Sequence, residues 1–574
     1  MENVAIARLL TEIADLLEIK GENPFKVRAY RNGAATVLDC AQRIADLAPE
    51  RIRDLPGIGK DLAGRIREAV ETGAIAYHAE LLAEFPATLL DILRLQGVGP
   101  KTAARLHAEL GIANLDQLEQ AARDGRIRAL KGMGAKKEQL VLKAVEERRR
   151  FAGRHLSADA REVAEALVAF LLDRVPGATF DIVGSLRRGV ETCGDIDLLA
   201  SGAEAGIMDA FVRYPLVERV LGKGETKSSV LLARGYQADL RLVAAESRGA
   251  ALQYFTGSKA HNIALRDRAL SRGLKLNEYG VFRADSGEHV AGSTEEEVYA
   301  ALGLPWITPE LRESRGEIEA DEAGRLPRLV ELSQVRGDLH MHTVETDGRD
   351  DIETMARAAR ALGYEYIAIT EHTQSLAMSN GLDEHRALRH AARIREVGAR
   401  VEGLTVLAGV ECDIRPDGTL DLADDCLAQL DLVVASVHSA FGQDERQMTE
   451  RVLRALDNPW VDVLGHPTGR LLLRRDPYAL DLDRVVTAAV ERGVALEINA
   501  QVDRLDLGDT QARLARDRGA RLVVSTDAHS HKELGLMRWG VTVARRAGLE
   551  ADHVLNTRDV AAFRASLRRH RRQA

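Results

Sequence analysis

Cysteine is scarce in this chain. The 574 residues hold four, Cys40, Cys193, Cys412 and Cys426, and no two form a CxxC pair. That excludes a zinc ribbon and suits a reducing cytosol, with Cys412 and Cys426 read as small core residues. Long apolar runs are missing too. No stretch reaches the roughly 18 apolar residues of a membrane span, and the amino terminus alternates apolar and charged residues without a secretory apolar segment. A cytoplasmic protein with no membrane partner is expected. Nor does one sign of charge dominate, since 79 Lys+Arg against 88 Asp+Glu leave a net of −9. That balance argues weakly against nucleic acid, but it sums unlike parts. Residues 1–150 carry 24 basic and 22 acidic side chains, residues 151–333 carry 22 and 28, and residues 334–574 carry 33 and 38. The amino-terminal part is therefore the better candidate for meeting phosphate. With 45% hydrophobic and 29% charged residues the chain is globular, and its length calls for several domains. Nothing demands more than a monomer.

What is present is most concentrated after residue 334. Short apolar runs end at Asp338-Leu339-His340-Met341-His342, Ile369-Thr370-Glu371-His372, Ala408-Gly409-Val410-Glu411, Ala435-Ser436-Val437-His438, Val463-Leu464-Gly465-His466 and Val524-Ser525-Thr526-Asp527-Ala528-His529. Asp347 follows the first run, and a seventh, Gly493 to Asn499, ends in an amide. Helical stretches separate the runs, so the segment reads as a parallel β/α barrel, whose chemistry gathers at the carboxyl ends of its strands. Imidazole and carboxylate converging there are ligands for first-row metals. The candidates are His340, His342, Asp347, His372, Glu411, His438, His466, Asp527 and His529, a set suited to two or three ions. His340/His342 and Asp527/His529 are i, i+2 pairs, which on an extended strand face one side. His385, His390, His531, His553 and His570 lie off the strand ends and read as structural.

Residues 1–150 contain one short pattern three times: Leu55-Pro56-Gly57-Ile58-Gly59-Lys60, Leu95-Gln96-Gly97-Val98-Gly99-Pro100-Lys101 and Leu130-Lys131-Gly132-Met133-Gly134-Ala135-Lys136. Gly-x-Gly lets a chain turn through positive φ and present N–H groups beside a helix amino terminus, a cradle for phosphate that reads no base. One copy is equally an ordinary helix–helix turn. Three copies, each trailed by Lys, favour DNA-backbone contact through Gly57, Gly59, Lys60, Gly97, Gly99, Lys101, Gly132 and Gly134, and resemble the helix-hairpin-helix motif.

The middle third carries a second constellation. Strand Phe180-Val183 runs into Gly184-Ser185-Leu186-Arg187-Arg188-Gly189, and Cys193-Gly194 opens a strand bearing Asp195 and Asp197. Asp239 lies on a further strand, Ala238-Val243. Three aspartates on neighbouring strands favour Mg²⁺ (or Mn²⁺) over zinc, and two ions so held suit phosphoryl transfer. Ser185 and Arg188 supply a donor and a positive charge for a polyphosphate. A bare Asp-x-Asp would more often be a solvated edge; with Gly-Ser, paired Arg and a spaced third Asp it resembles the nucleotidyltransferase pattern. Lys223-Gly224-Glu225-Thr226-Lys227, Tyr254-Phe255-Thr256-Gly257-Ser258, Asn262, Arg266, Asn277-Glu278-Tyr279-Gly280 and Leu302-Gly303-Leu304-Pro305-Trp306-Ile307 then resemble family X DNA polymerases in order and spacing. With the barrel following, nearly the whole chain is similar to the bacterial members, whose barrel is of the polymerase-and-histidinol-phosphatase (PHP) type.

The resemblance implies a set of roles. Asp195, Asp197 and Asp239 hold the catalytic metals; Ser185, Arg188 and Gly194 bind the incoming deoxynucleoside triphosphate. Tyr254, Phe255 and Gly257 shape the sugar pocket, and Asn262 and Arg266 approach the nascent pair and template, although by themselves Tyr254 and Phe255 read as core packing. The barrel cluster, with two or three Zn²⁺ or Mn²⁺ ions, removes nucleotides from a 3′ end. Glu371 departs from the family pattern, where Asp more often precedes the His. Arg470, Arg474 and Arg475 are candidates for substrate phosphate, and equally for surface charge.

The expected architecture is helical over 1–85 (first hairpin) and 86–150 (two hairpins), an α/β nucleotidyltransferase palm over 151–245, and a nucleotide-selecting α/β domain over 246–315. A charged linker follows over 316–333, then a distorted (β/α)7 barrel over 334–574. The function expected is gap-filling DNA repair synthesis on gapped or primed DNA with a linked 3′→5′ exonuclease. Two rivals are a polymerase whose barrel hydrolyses a small molecule such as pyrophosphate, and a DNA-binding scaffold with silent sites. A third activity is not expected. Relatives that excise a 5′-deoxyribose phosphate use a Lys in the helix after the first hairpin as Schiff-base nucleophile; the matching position is Arg65, which stays protonated, and Lys60 falls on another helical face. Borohydride treatment with 5′-deoxyribose-phosphate DNA should trap no adduct, and an adduct that survives Lys60→Ala would overturn this expectation.

Overall fold

The structure is a computed structural model that describes residues 3–40, 44–86, 88–93, 95, 98–130, 132–150, 153–202 and 206–567. Gly97 of the second hairpin and the arginine-rich tail at 568–572 lie outside the described residues. The chain forms two compact units, 1–152 and 153–574.

The first unit is helical. Its longer helices are Asn3–Lys20, Pro24–Asp39, Lys60–Thr72, Pro100–Leu110 and Ala135–Arg150. Asn23 starts the second by accepting the Phe25 N–H at 2.9 Å, ahead of a proline whose fixed φ suits the first turn. One apolar core runs from Ile6 to Val145.

In the second unit a short strand, His155–Leu156, pairs with Thr192–Cys193, and helix Ser157–Arg174 packs against a five-stranded sheet. Its strands are β1 (Thr179–Ile182), β2 (Asp195–Ser201), β3 (Val217–Lys223), β4 (Lys227–Leu232) and β5 (Gln237–Val243), ordered β1-β2-β5-β4-β3. Only β2 and β5 run parallel, and their register sets Asp197 directly opposite Asp239. Helices Arg248–Thr256 and Lys259–Ser271 follow, with a small antiparallel sheet of β6 (Leu274–Asn277), β7 (Gly280–Arg283) and β8 (His289–Ala291).

A buried ion triad joins this part to the palm. Glu295 receives Arg187 at 2.7–2.9 Å and Arg312 at 2.6 Å, and Arg312 is wholly inaccessible. The stretch expected as a charged linker, 316–333, packs against both of its neighbours. Gly316 at φ +92 opens helix Glu317–Glu322, and the Glu317 carboxylate meets His261 at 2.6 Å and the Ser314 and Arg315 N–H groups. Val330 then hydrogen-bonds Leu549 of the barrel at 2.9 Å. Burial of Glu317 and Val330 explains why a charged, turn-rich sequence does not behave as a spacer.

The barrel strands are β9 (Gly337–Asp338), β10 (Tyr366–His372), β11 (Thr405–Asp413), β12 (Leu432–Ser436), β13 (Val463–Leu464), β14 (Ala495–Asn499) and β15 (Leu522–Ser525). They pair in chain order, all parallel, and a parallel bridge between Met341 and Ala528 links the first strand's continuation to the last. The result is a seven-stranded (β/α) barrel. Alternate residues of these strands (Tyr366, Ala368, Leu407, Leu432, Val434, Ala495, Val523) cluster with Phe563, which stacks on Tyr366 at 5.2 Å. The same alternation, carried further along three of these strands, arrives at His372, Glu411 and Glu497. Among the described residues no helix is long and apolar enough to cross a membrane.

The triad makes a stability prediction. Burial alone would raise the Glu295 carboxyl, but Arg187 and Arg312 overcome it and bring it down to about 2. A depressed carboxyl stabilises the fold above its unfolded value of 4.5 and loses that contribution as pH falls toward about 2. Glu295→Gln leaves two arginines facing a neutral amide and should cost about 3 kcal/mol at pH 7. In denaturant unfolding, the gap to the wild type should narrow below pH 4.5.

Candidate metal centres and nucleic-acid contacts

The parallel register delivers all nine strand-end donors to one place at the barrel mouth. Glu411, fully buried, is the hub. One oxygen lies 2.8 Å from His466 Nε2, 3.2 Å from His438 Nε2 and 3.5 Å from His340 Nε2; the other lies 2.8 Å from His372 Nδ1 and 3.7 Å from His342 Nε2. Asp527 approaches His342 at 3.2 Å, and Asp347 approaches His372 at 3.3 Å and His529 at 3.6 Å. Three groups of donors fall within metal-binding reach: His342, Asp347, His372 and His529; His340, His342 and Asp527; His372, Glu411 and His438. His342 and His372 each belong to two groups, so the groups adjoin, and the two oxygens of Glu411, each facing different imidazoles, are the donors suited to bridging neighbouring ions.

The donor set fits cations. His340 Nε2 and both ring nitrogens of His342 are buried without a well-aligned hydrogen bond, an arrangement that protein groups rarely tolerate unless something else binds there. The electrostatics agree. Burial opposes charging His372 and His438, yet Glu411 and neighbouring aspartates push them up to about 10 and about 9, while Glu411 itself is held well below the ordinary carboxylate range. His342 is driven the other way, to about 4, by burial and by the His372 and His529 rings. Protons and cations compete for such a site.

Backbone geometry here departs from the simple strand picture. Asp527 has φ +52, so the Asp527/His529 pair is brought together by a kink and not by strand alternation. His466 at φ +25 is likewise strained, a feature that persists at ligand sites where surrounding contacts hold it.

A second layer of residues holds the donors and was not singled out from sequence. Glu497 accepts from His340 Nδ1 at 2.8 Å and from the His466 N–H at 2.6 Å, and Asp413 lies 3.0 Å from His438 Nδ1. The available signal was position: Glu497 precedes Asn499 by two on a strand, so both face the barrel interior. Glu371, the departure from the family pattern, is buried and accepts from the Thr343 N–H and the Thr343 and Thr346 hydroxyls, with His390 at 3.2 Å. It therefore secures the loop that carries Asp347.

The palm centre is looser. Asp195 is exposed, while Asp197 and Asp239 are half-buried and opposite in register. Burial, then Asp195 and Asp239, push Asp197 up to about 6. Asp239 is lowered despite its burial, because Gln237, Lys227 and Ser229 donate to it; the Lys227 ammonium stands 3.0 Å away, a cation already at the carboxylates. Gly184, at φ +65, permits this packing, since a Cβ there would lie 2.4 Å from an Asp197 oxygen. The aspartate trio does not reach the tight donor spacing of the barrel groups, as expected of like charges that Arg241 and Lys227 offset only in part.

Around it, Ser185 lies on the one-turn helix Gly184–Arg187, and Gly194 is exposed just before β2. Arg188 donates to the Thr256 carbonyl at 2.5 Å and to Glu313 at 3.0 Å. Phe255 packs with Val183, Leu199 and Ala251, crosses Tyr254 edge-on at 5.1 Å, and lies under the Arg241 guanidinium. Gly257 takes φ +70, and a Cβ there would lie 3.2 Å from Arg188 Nη1. Asn262 is engaged by Gln253 and the Tyr254 carbonyl at 2.7 Å each, and Arg266 is exposed.

In the helical unit the three hairpins share one turn. Ile58, Val98 and Met133 N–H groups bond the carbonyls of Leu55, Leu95 and Leu130 at 3.1, 3.2 and 2.9 Å. Gly57 and Gly132 take positive φ, and open space surrounds Gly57, Gly59, Gly99, Gly132 and Gly134. Lys60 and Lys101 are exposed in the first turns that follow. Arg65 lies with its guanidinium 4.2 Å over Tyr77 and 3.5 Å from Asp61.

Helical hairpins, an aspartate-bearing palm and a barrel with clustered metal-binding donors define a class: a two-centre enzyme of phosphodiester chemistry. Comparison with known proteins makes the class specific. The helix-hairpin-helix domain family matches residues 1–75, the SAM-like helix-hairpin-helix tandem 89–147, the DNA polymerase beta thumb 251–313 and the PHP domain 338–501. The chain is 39% identical, over 99% of its length and all of the relative's, to the DNA polymerase/3′-5′ exonuclease PolX of Bacillus subtilis. Probable phosphatases of Thermoanaerobacter and Caldanaerobacter are 29% identical, but cover only 41% and 38% of this chain, within its PHP part. The chain belongs to the bacterial PolX family, family X DNA polymerases with a PHP domain.

Removing the support of a donor should loosen the centre without removing the donor. Glu497→Gln is expected to lower metal affinity by about 10–100-fold, read as metal content after graded chelator dialysis; unchanged content would refute the positioning role.

Proposed function

We propose that this protein is a bacterial DNA repair polymerase that fills short gaps on primed DNA and trims 3′ ends in its barrel. The observation that carries the reading is the pair of separate centres on one chain, an aspartate trio in the palm and nine imidazole and carboxylate donors at the barrel mouth. Full-length likeness to a relative named for both activities supports it.

In the palm, Asp195, Asp197 and Asp239 would hold Mg²⁺ or Mn²⁺, with Ser185, Arg188 and Gly194 on the triphosphate and Tyr254, Phe255 and Gly257 beside the sugar. Asn262 and Arg266 would face the base pair and template. Bound cations supply charge that neutralises the attacking and leaving oxygens. The protein's part is to keep Asp239 ionised through Lys227 and to keep Gly184 small so that the triphosphate loop lies against Asp197. The hairpins would grip the DNA backbone through Gly57, Gly59, Lys60, Gly97, Gly99, Lys101, Gly132 and Gly134, which positions without reading sequence.

In the barrel, two or three Zn²⁺ or Mn²⁺ ions would be held by the nine donors. Substrate phosphate needs a cationic partner beside them. Arg470 is not available, because it forms a two-pronged pair with Glu191 of the palm at 2.5 and 3.1 Å. Arg475 and Arg504 fit better. Arg504 Nε lies 3.9 Å from Asp527, and Arg475, backed by Phe441 at 4.3 Å, is lowered to about 10 by burial and by Arg504 and Arg474. Clustered arginines this poorly neutralised favour an anion between them. Arg474 is exposed and paired with Asp503 at 3.3 Å.

The likeness of the barrel to phosphatases keeps pyrophosphate hydrolysis as the second reading. On the full chain, Asp195→Ala and Asp197→Ala should lower primer extension by about 1,000-fold or more while leaving single-strand degradation intact, with His340→Ala doing the reverse. Extension surviving in the aspartate variants rejects the palm assignment. Pyrophosphate release of phosphate lost with His340→Ala, alongside unchanged DNA degradation, would install the phosphatase reading.

A further inference from the structure

The loop that would bind the incoming triphosphate does not stand on palm residues alone. Arg546, on barrel helix Met537–Arg546, is buried and reaches the loop directly: its Nη1 donates to the Arg188 carbonyl at 2.7 Å and to Glu313 Oε1 at 3.0 Å. The same Glu313 oxygen accepts from Arg188 Nε at 3.0 Å. One barrel guanidinium therefore fixes both the backbone of Arg188 and the carboxylate that aims its side chain. Behind it, Asp509 accepts from Arg546 Nη2 at 2.8 Å and from Arg315 at 3.0 Å, which anchors the relay in the barrel. The chain of contacts ends at the Thr256 carbonyl, one residue before Gly257. Packing follows the same line. Gly189 closes the loop at φ +67, and a Cβ on it would meet Thr542 of the barrel helix at 2.3 Å.

Such contacts have a consequence. A guanidinium can grip a phosphate well only if its fork is held in place beforehand, and misplacement by about 1 Å costs up to 100-fold. We infer that barrel residue Arg546 is a positioning residue of the polymerase centre, holding Arg188 for the triphosphate of the incoming nucleotide. The PHP domain would thereby be a structural part of the synthetic site as well as the seat of hydrolysis. This rests on the reading of Ser185–Arg188 as the triphosphate loop.

The test uses the full chain on gapped DNA, with single-nucleotide incorporation measured against deoxynucleoside triphosphate concentration. Arg546→Ala should raise KM about tenfold with kcat changed by less than about threefold, and degradation of labelled single-stranded DNA by the same preparation should be unchanged. Arg546→Lys should recover part of the loss, and Glu313→Gln, which weakens the relay from the palm side without substituting a barrel residue, should raise KM in the same sense. Arg188→Ala should raise KM at least as far, and Arg546→Ala should add little to it, because the two act through one contact. An unchanged KM in both Arg546→Ala and Glu313→Gln, with Arg188→Ala impaired, overturns the inference and leaves the triphosphate reading standing. An unchanged KM in Arg188→Ala removes that reading and the inference together. Fully additive losses in the double variant also overturn the positioning role.

Discussion

A single carboxylate organises the barrel. Glu411 stands within 3.7 Å of five imidazoles, contributed by β10, by the segment after β9 and by the ends of β12 and β13. That convergence needs every strand to run the same way, so that each delivers its last side chains to one mouth. It also needs the alternation within each strand, which fills the interior with Tyr366, Leu407 and Val434 before the polar ends are reached. Burial makes the centre demanding. Unpartnered nitrogens on His340 and His342 are tolerable only as ligands, and the second layer of Glu497, Asp413 and Glu371 consists of acceptors that fix their neighbours' orientation.

The two centres solve opposite electrostatic problems. In the barrel, imidazoles and carboxylates alternate, so each carboxylate is stabilised by several rings and the donors approach closely. In the palm, three aspartates repel one another and Asp197 is pushed up, with Arg241 and Lys227 offsetting part of the repulsion. A centre of that kind is assembled fully only with its ions and a polyanionic substrate, which suits a site where nucleotide and metal arrive together. The arginines divide accordingly. Arg187 and Arg312 meet at Glu295 to hold palm and thumb, Arg470 and Arg546 fasten the palm to the barrel, and Arg504 stands 3.9 Å from Asp527.

Much of this was readable from side-chain order. Donor types at the end of apolar runs announce a strand-end site, because strand direction and chain order are linked in a β/α repeat. Glycines at 57, 59, 132 and 134 announced turns because few other residues take those dihedrals or leave the backbone open. The readings that changed were those resting on local conformation where tertiary contacts intervene. Asp527 joins its cluster through a left-handed kink that no period-two rule contains. Residues 316–333 looked like a spacer, yet Glu317 finds His261 and Val330 finds the barrel. Arg470 looked like Arg474 and Arg475, and only its Glu191 partner, 279 residues away, separates them.

By itself, then, the order of amino acids determined which elements form, which side chains stand at strand ends, and which chemistry those side chains can perform, because periodicity and ligand type are local properties. Only the folded chain decided which donors share an ion, which arginines are free to meet substrate, and that a barrel helix supports the loop bearing Arg188. Those are distances between residues far apart in sequence, and they follow from packing and charge pairing that no single segment encodes.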